Sequence, residues 1–259
     1  MSGRGDVEFF PRNSTCQFCD SIRFVQFKKP LLGLGELKEV TIASNPEEWF
    51  SGLRKHDALD MRLVRIPRND PGISDRMSAG FVGGGGTWLI EVLRSSGRSE
   101  FWGARWLVGN QNAPDKRIWK VTYGLVRKSQ TVEYKGRSLS DVKRDLRSSL
   151  ETIRAFSQRE SCDGFAKCFS DALEALDNPE ADIGYHKDLT VPGQLNPEAT
   201  SMLKASMNAW VFGGMGSWND IGFDGAKQPE YEAVSENLFN FLNDAIEVAT
   251  TSSATGQGS

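Results

Sequence analysis

The chain has 259 residues, of which 39% are hydrophobic and 25% are charged, a composition that excludes intrinsic disorder as its general state. No apolar run approaches the length of about 18 residues that a membrane-spanning helix requires, so we expect a soluble protein that binds no membrane. The sequence shows no secretory signal, and its four cysteines are too few and too unevenly placed for a disulfide framework. Both features favour the cytoplasm.

Charge is distributed unevenly along the chain. Residues 1–150 contain 25 Lys and Arg against 17 Asp and Glu, whereas residues 151–259 contain 6 against 17. A basic half is typical of proteins that contact a polyanion or an acidic partner. The same distribution arises when two halves face each other in one fold, or when both halves are ordinary solvated surfaces, and we favour this structural interpretation.

The first 136 residues have the pattern of a strand-rich region. Strands are predicted at 21–28, 61–66, 87–94, 100–108, 118–126 and 131–135, because apolar and polar residues alternate there as a sheet with one buried face requires. Hairpin loops at 95–98 and 109–116 predict an antiparallel meander. One short helix is predicted to begin at Asn45 and Pro46, a capping residue followed by proline at the first helical position.

From Ser138 onward the hydrophobic period changes to three and four residues, which indicates amphipathic helices. Helices are predicted at 138–156 and 165–178, from Asn196 onward, and from near Pro229 onward. Strands followed by helices predict an α+β fold in which the N-terminal antiparallel sheet packs against the C-terminal helices. The predicted organisation is a single domain over residues 1–250, strand-rich at 1–136 and helix-rich at 137–250, with a disordered tail at 251–259.

The four glycines at 83–86 do not match a phosphate-binding loop. Such a loop lies between a strand and a helix N-terminus, whereas here a predicted strand follows, and neither G-x-G-x-x-G nor Gly-Lys-Ser/Thr is present. Residues 68–86 are therefore predicted to form a long mobile loop, either a flexible connection or a binding flap.

Cysteine and histidine limit the metal and catalytic chemistry that the sequence can support. Cys16 and Cys19 have the two-residue spacer of a zinc knuckle, but the second cysteine pair has five intervening residues and no histidine is close to either pair. We predict structural thiols, no metal and no cofactor. His56 and His186 are the only histidines, so histidine-dependent catalysis must use one of them. An enzyme is therefore less favoured than a binding protein.

The most distinctive stretch, at residues 210–220, reads WVFGGMGSWND and continues as IGFD. It is too apolar for a solvated loop, so three interpretations stay open: a packed connector between helices, a partner-binding surface, or a small-molecule or catalytic site. The candidate binding residues are Ser217, Trp218, Asn219, Asp220, Phe223 and Asp224. The run resembles a motif of uncharacterised bacterial proteins over about residues 200–250, and this resemblance implies a bacterial origin but no particular activity.

Basic residues on or between the aromatic strands form a candidate nucleic-acid surface. Phosphate binding needs clustered cations, and single-strand binding adds exposed aromatic side chains on which bases stack. The candidates are Arg105, Lys116, Arg117, Lys120, Arg127 and Lys128. The tryptophans and tyrosines of the same strands are also what the buried face of a sheet requires, so the aromatic part of this pattern has a structural interpretation as well.

Together these features favour a non-catalytic protein-binding or scaffold component of a bacterial multi-protein system, acting with a protein partner. One alternative is a nucleic-acid-binding accessory protein that uses the basic, strand-rich half. The other is an enzyme with a site near residues 213–224.

Overall fold

A computed structural model describes residues 9–28, 37–68, 70–130, 136–190 and 193–252. Its secondary structure is α+β, as predicted. The strands are β1 (Cys19–Lys28), β2 (Lys38–Ala43), β3 (Ala58–Ile66), β4 (Thr87–Arg94), β5 (Arg98–Val108) and β6 (Trp119–Gln130). The helices are α1 (Pro46–Lys55), α2 (Asp75–Ser78), α3 (Leu139–Arg159), α4 (Asp163–Asp177), α5 (Pro197–Asn208) and α6 (Lys227–Thr251), with single 3-10 turns at Ser14–Cys16 and Trp218–Asp220.

The chain divides into two compact units. The first takes in the described residues of 1–64 and 88–133, and the second takes in those of 65–87 and 134–253. Apart from the ends of β3 and β4, the sheet and α1 belong to the first unit, whereas α2 to α6 belong to the second. The change from strand-rich to helix-rich sequence near residue 136 coincides with the boundary between the units at residues 133 and 134. The segment 65–87 also belongs to the second unit, although no change in composition marks its two ends.

The six strands form one sheet in the order β2-β1-β6-β5-β4-β3. Strands β4, β5 and β6 pair antiparallel as the predicted meander requires. Strand β1 pairs antiparallel with β2 but parallel with β6, so the sheet is mixed rather than antiparallel throughout. Hairpin signals describe only strands that are neighbours in sequence, and the parallel pair joins β1 to β6, the first and last of the described strands. Strand β2 was not predicted, and the strand predicted at 131–135 lies outside the described residues.

Helix α1 begins where its capping residue predicted. The Asn45 side chain accepts a hydrogen bond from the backbone N–H of Glu48 at 2.7 Å, and Pro46 occupies the first turn. On the sheet side of α1, Trp49 is buried and stacks on Phe24 of β1 with a centroid distance of 4.3 Å. This contact fixes α1 over one face of the sheet.

The second unit is a helical core. Helix α3 packs against α4 and α6, and α5 packs against the same two helices. Two of these helices begin at capping side chains: Ser138 accepts from the N–H of Asp141 at 3.1 Å at the start of α3, and Asn196 accepts from the N–H of Ala199 at 2.8 Å at the start of α5. None of the described helices combines the length and the apolarity that crossing a bilayer requires. Most of the predicted tail, residues 253–259, lies outside the described residues.

Candidate partner-binding surface on the second unit

Residues 210–224 connect α5 to α6, and Trp218 is the centre of their packing. Its side chain has no exposed surface, and its indole N–H donates to the hydroxyl of Ser235 at 2.7 Å. Four aromatic rings lie within 5.1–6.3 Å of its indole, measured between centroids: Phe156, Phe165, Phe169 and Tyr231. A residue enclosed in this way stabilises the helical core and is not available to a partner. For Trp218, the geometry therefore matches the packed connector.

The polar residues beside Trp218 shape the same loop. The hydroxyl of Ser217 donates to the carbonyl oxygen of Gly213 at 3.1 Å and accepts from the N–H of Asn219 at 3.3 Å. The exposed carboxylate of Asp220 accepts from the N–H of Gly216 at 2.5 Å. Three of the candidate residues thus make contacts within the loop that carries them.

The last two candidates follow the loop. Phe223 is half-buried, and its ring lies 5.3 Å from those of Phe156 and Tyr231. Asp224 is exposed, and its carbonyl oxygen accepts from the N–H of Lys227 at 3.4 Å, where α6 begins. Of the six candidate residues, Asp220 and Asp224 are the two that are exposed.

Asn219 is held by a residue that the sequence did not reveal, Arg76 of α2. The Arg76 side chain is only 1% exposed, and its Nη1 donates to Oδ1 of Asn219 at 2.7 Å while the Asn219 amide donates back to the Arg76 carbonyl at 3.0 Å. The same guanidinium pairs with Glu232 and Glu236 of α6. A helix of four residues has no detectable hydrophobic period, and so no sequence pattern distinguished Arg76 from a solvated arginine.

The four glycines after α2 are explained by loop geometry. A Cβ on Gly84 would lie 1.7 Å from the carbonyl oxygen of Ser78, so no larger residue fits there. Gly83, Gly85 and Gly86 all have positive φ angles, a region that glycine occupies without steric cost. The N–H of Gly85 also donates to the Ser78 hydroxyl at 3.0 Å. The stretch predicted as a long mobile loop therefore contains both α2 and a tightly turned loop.

This loop, residues 79–86, touches the loop at residues 213–216. A Cβ on Gly80 would lie 2.3 Å from the carbonyl oxygen of Gly213, which places the two backbones in direct contact. Both loops nevertheless carry large apolar side chains in solvent: Phe81 is 71% exposed, Val82 56% and Met215 fully. We call these three residues the two-loop surface. Exposed apolar side chains on adjoining loops are a feature of sites of protein interaction.

A cleft of about 630 Å³ lies between α2 and α6. Two exposed apolar residues, Ile73 and Met77, line it together with the carboxylates of Glu232 and Glu236. Because the buried guanidinium of Arg76 supplies one positive charge against these two carboxylates, the cleft is negative. Met77 lies four residues before Phe81 in the chain, so the cleft adjoins the two-loop surface.

The basic candidates lie on the first unit, where some are neutralised by carboxylates. Arg105 pairs with Glu39 at 2.7 Å, and the same carboxylate accepts from Arg23 at 3.2 Å. The hydrogen bond from Arg105 lowers the pKa of Glu39. Lys128 pairs with the buried carboxylate of Glu100 at 2.9 Å. Phosphate binding at these positions would compete with existing ion pairs.

The other basic candidates have only a distant carboxylate partner, or none among the described residues. Arg117 lies 3.9 Å from Asp115, and Lys116, Lys120 and Arg127 are exposed and form no ion pair within the described part of the chain.

At Arg105 and Trp106, the cation and the aromatic ring lie on opposite faces of the sheet. Neighbouring residues of a strand point to opposite faces, so Trp106 does not share a face with Arg105. Instead, Trp106 packs edge to face against Trp119 at 6.1 Å. The described geometry therefore lacks a cation-and-stacking surface at these two positions, and the nucleic-acid alternative stays a prediction.

The thiols and histidines are distributed over both units. Cys16 and Cys19 are both buried, and their mutual hydrogen bond together with burial raises the pKa of the Cys19 thiol. His56 belongs to the first unit and His186 to the second, where burial lowers the pKa of His186. Within the described ranges, no group of three or more His, Cys, Asp or Glu is arranged to hold a metal ion.

Comparison of the chain with family models, with curated proteins and with solved structures gave no match.

Proposed function

We propose that this protein is a non-catalytic binding component of a multi-protein system and that it binds a protein partner through the two-loop surface and the adjoining cleft. The observation that carries the proposal is the exposure of Phe81, Val82 and Met215 on two loops whose backbones hold each other in place. Apolar area gains about 25 cal/mol for each Å² removed from water. Three large side chains on one surface therefore offer a partner a substantial driving force.

The hydrogen bonds and ion pairs that Arg76 makes next to these loops favour binding. Arg76 joins α2 to Asn219, three residues after the loop at 213–216, and to two glutamates of α6. A surface held in its binding conformation loses less conformational entropy on association than a flexible one. The buried arginine and the tightly turned glycine loop therefore support the proposal.

Charge indicates the chemistry of the partner. The cleft beside the two-loop surface carries Glu232 and Glu236, which are about half exposed, around one buried cation. Complementary potentials speed association and select partners. The proposed occupant is therefore an amphipathic protein segment with an apolar face and flanking basic residues.

A paired set of variants tests this proposal by affinity capture from extracts of the source organism. The double variant Phe81→Ser/Met215→Ser should reduce recovery of the partner at least about tenfold, because an anchor buried in an interface contributes about 2 kcal/mol or more. The control Leu107→Ser/Val126→Ser removes two exposed apolar side chains from the first unit, 53% and 58% exposed in the native protein, and should leave recovery unchanged.

Salt distinguishes the partner from the nucleic-acid alternative in the same capture. An apolar interface should persist when the salt concentration rises, whereas nucleic acid held by phosphate contacts should be lost steeply. Equal recovery of all bound proteins by the wild type and the two-loop variant would contradict the proposal. Recovery of nucleic acid alone, lost at high salt, would favour the basic half.

A further inference from the structure

The first unit contains a cavity that is independent of the proposed partner surface. It has a volume of about 560 Å³ and lies between α1 and the sheet. Its apolar wall is formed by Ile42, Trp49, Leu53 and Trp102, and its polar wall comes from the β4–β5 hairpin and from Lys128 of β6. We call it the α1 cavity. A volume of this size, with an apolar wall and a few converging polar groups, is typical of sites for small ligands.

The charged groups on the polar wall are organised around Glu100. Its side chain is only 10% exposed, and its two oxygens accept from Arg94 at 2.5 Å and from Lys128 at 2.9 Å. Burial alone would raise the pKa of Glu100, but the hydrogen bonds from these two cations outweigh it and lower the pKa. Glu100 is therefore ionised at neutral pH and holds both cations at the cavity wall.

One cation of the cavity has no such partner. Arg98, at the start of β5, is exposed, and its side chain forms no ion pair or hydrogen bond with the described residues. The other carboxylates of the wall are engaged, because Asp57 contacts Arg94 and Ser95 while Glu48 accepts from a backbone N–H of the α1 entry. Three cations and three carboxylates thus line the cavity, and Arg98 is the cation among them that no carboxylate contacts.

A glycine in α1 keeps the cavity open. Gly52 lines the cavity within the helix, and a Cβ built on it would meet no atom within 4 Å. Its backbone does not require glycine, since it is not among the positive-φ residues. Glycine in a helix interior is destabilising relative to alanine. Because residue 52 has no side chain, the space beside Trp49 stays open.

We propose that the α1 cavity binds a small organic anion with an apolar, ring-containing body. The anionic group is placed at Arg98, with the remaining N–H groups of Arg94 and Lys128 close by, and the ring lies against the tryptophan wall. Arginine recognises carboxylate-like groups through paired hydrogen bonds, and Trp49 and Trp102 supply the apolar contact.

A matched pair of probes tests this proposal on the full chain: 2-naphthoate and its neutral analogue naphthalene-2-carboxamide. Binding is followed by isothermal titration and by tryptophan fluorescence. Arg98→Gln should weaken binding of the naphthoate about five- to tenfold and leave that of the carboxamide unchanged, because only the anion uses the positive charge. Arg127→Gln, an exposed arginine outside the cavity, should change neither affinity.

Filling the cavity gives the second arm of the test. Gly52→Leu should abolish binding of both probes while the midpoint of unfolding stays equal or rises, since leucine is the better helix former. If leucine prevents folding, Gly52→Ala should still weaken both probes with the midpoint retained. No naphthoate binding by the wild type, or binding that Arg98→Gln and the residue-52 variants leave unchanged, would overturn the proposal.

Discussion

Trp218→Ala should lower the free energy of unfolding of the second unit by about 3–5 kcal/mol, the largest effect that we expect from a single substitution in this protein. The indole is fully buried among four aromatic rings, and its N–H donates to Ser235. Removal would leave a cavity in the core and an unpaired hydroxyl. Urea unfolding followed by far-UV circular dichroism measures this loss, because most of the helical residues belong to α3–α6.

Trp218→Phe is the graded control for this prediction. Phenylalanine keeps an aromatic ring in the cluster but loses the hydrogen bond to Ser235 and part of the buried area, so a smaller loss of about 1–2 kcal/mol is expected. Native-like stability of Trp218→Ala would contradict the packed-connector interpretation and would require that the tryptophan face solvent.

Arg76→Ala should lower the free energy of unfolding by about 2–4 kcal/mol and loosen the two-loop surface. Removing one member of a buried charged network leaves its partners unpaired, and here Glu232, Glu236 and Asn219 lose their common donor. This expected loss is smaller than the loss on breaking a fully buried ion pair, because the side chains of Glu232 and Glu236 are both partly exposed to water. Hydrogen exchange should be faster at the backbone amides of residues 79–86.

Arg144→Ala is the matched control. Arg144 also contacts two carboxylates, those of Asp141 and Asp145, but its side chain is 68% exposed. Surface ion pairs contribute little, so the loss should be less than about 1 kcal/mol, with exchange at residues 79–86 unchanged. Equal losses in the free energy of unfolding for Arg76→Ala and Arg144→Ala would show that the burial of Arg76 does not contribute to stability.

The sequence predicted the elements whose signals are local. Asn45 with Pro46, Ser138 and Asn196 each marked a helix start, because a capping side chain acts within three residues of its own position. The β4–β5–β6 meander followed from alternation and short loops in the same way. Trp218 was recognised as too apolar for a solvated loop, and it is buried.

Features that depend on distant contacts could not be predicted from the sequence. The parallel pairing of β1 with β6 joins strands about a hundred residues apart. The contact of Gly80 with Gly213 and the hydrogen bond of Arg76 to Asn219 connect segments more than 130 positions apart. Composition gave these residues no distinguishing pattern, and so the two-loop surface and the α1 cavity became visible only in three dimensions.

Site-specific photocrosslinking from residue 81 tests the partner proposal most directly. A benzophenone amino acid in place of Phe81, introduced into the full chain in its native host, should form a covalent adduct with one protein that contains a basic, amphipathic segment. The same group in place of Phe27, which is 40% exposed on the first unit, should not form that adduct. Adducts from residue 27 alone, or none from residue 81 above the background without irradiation, would contradict the account.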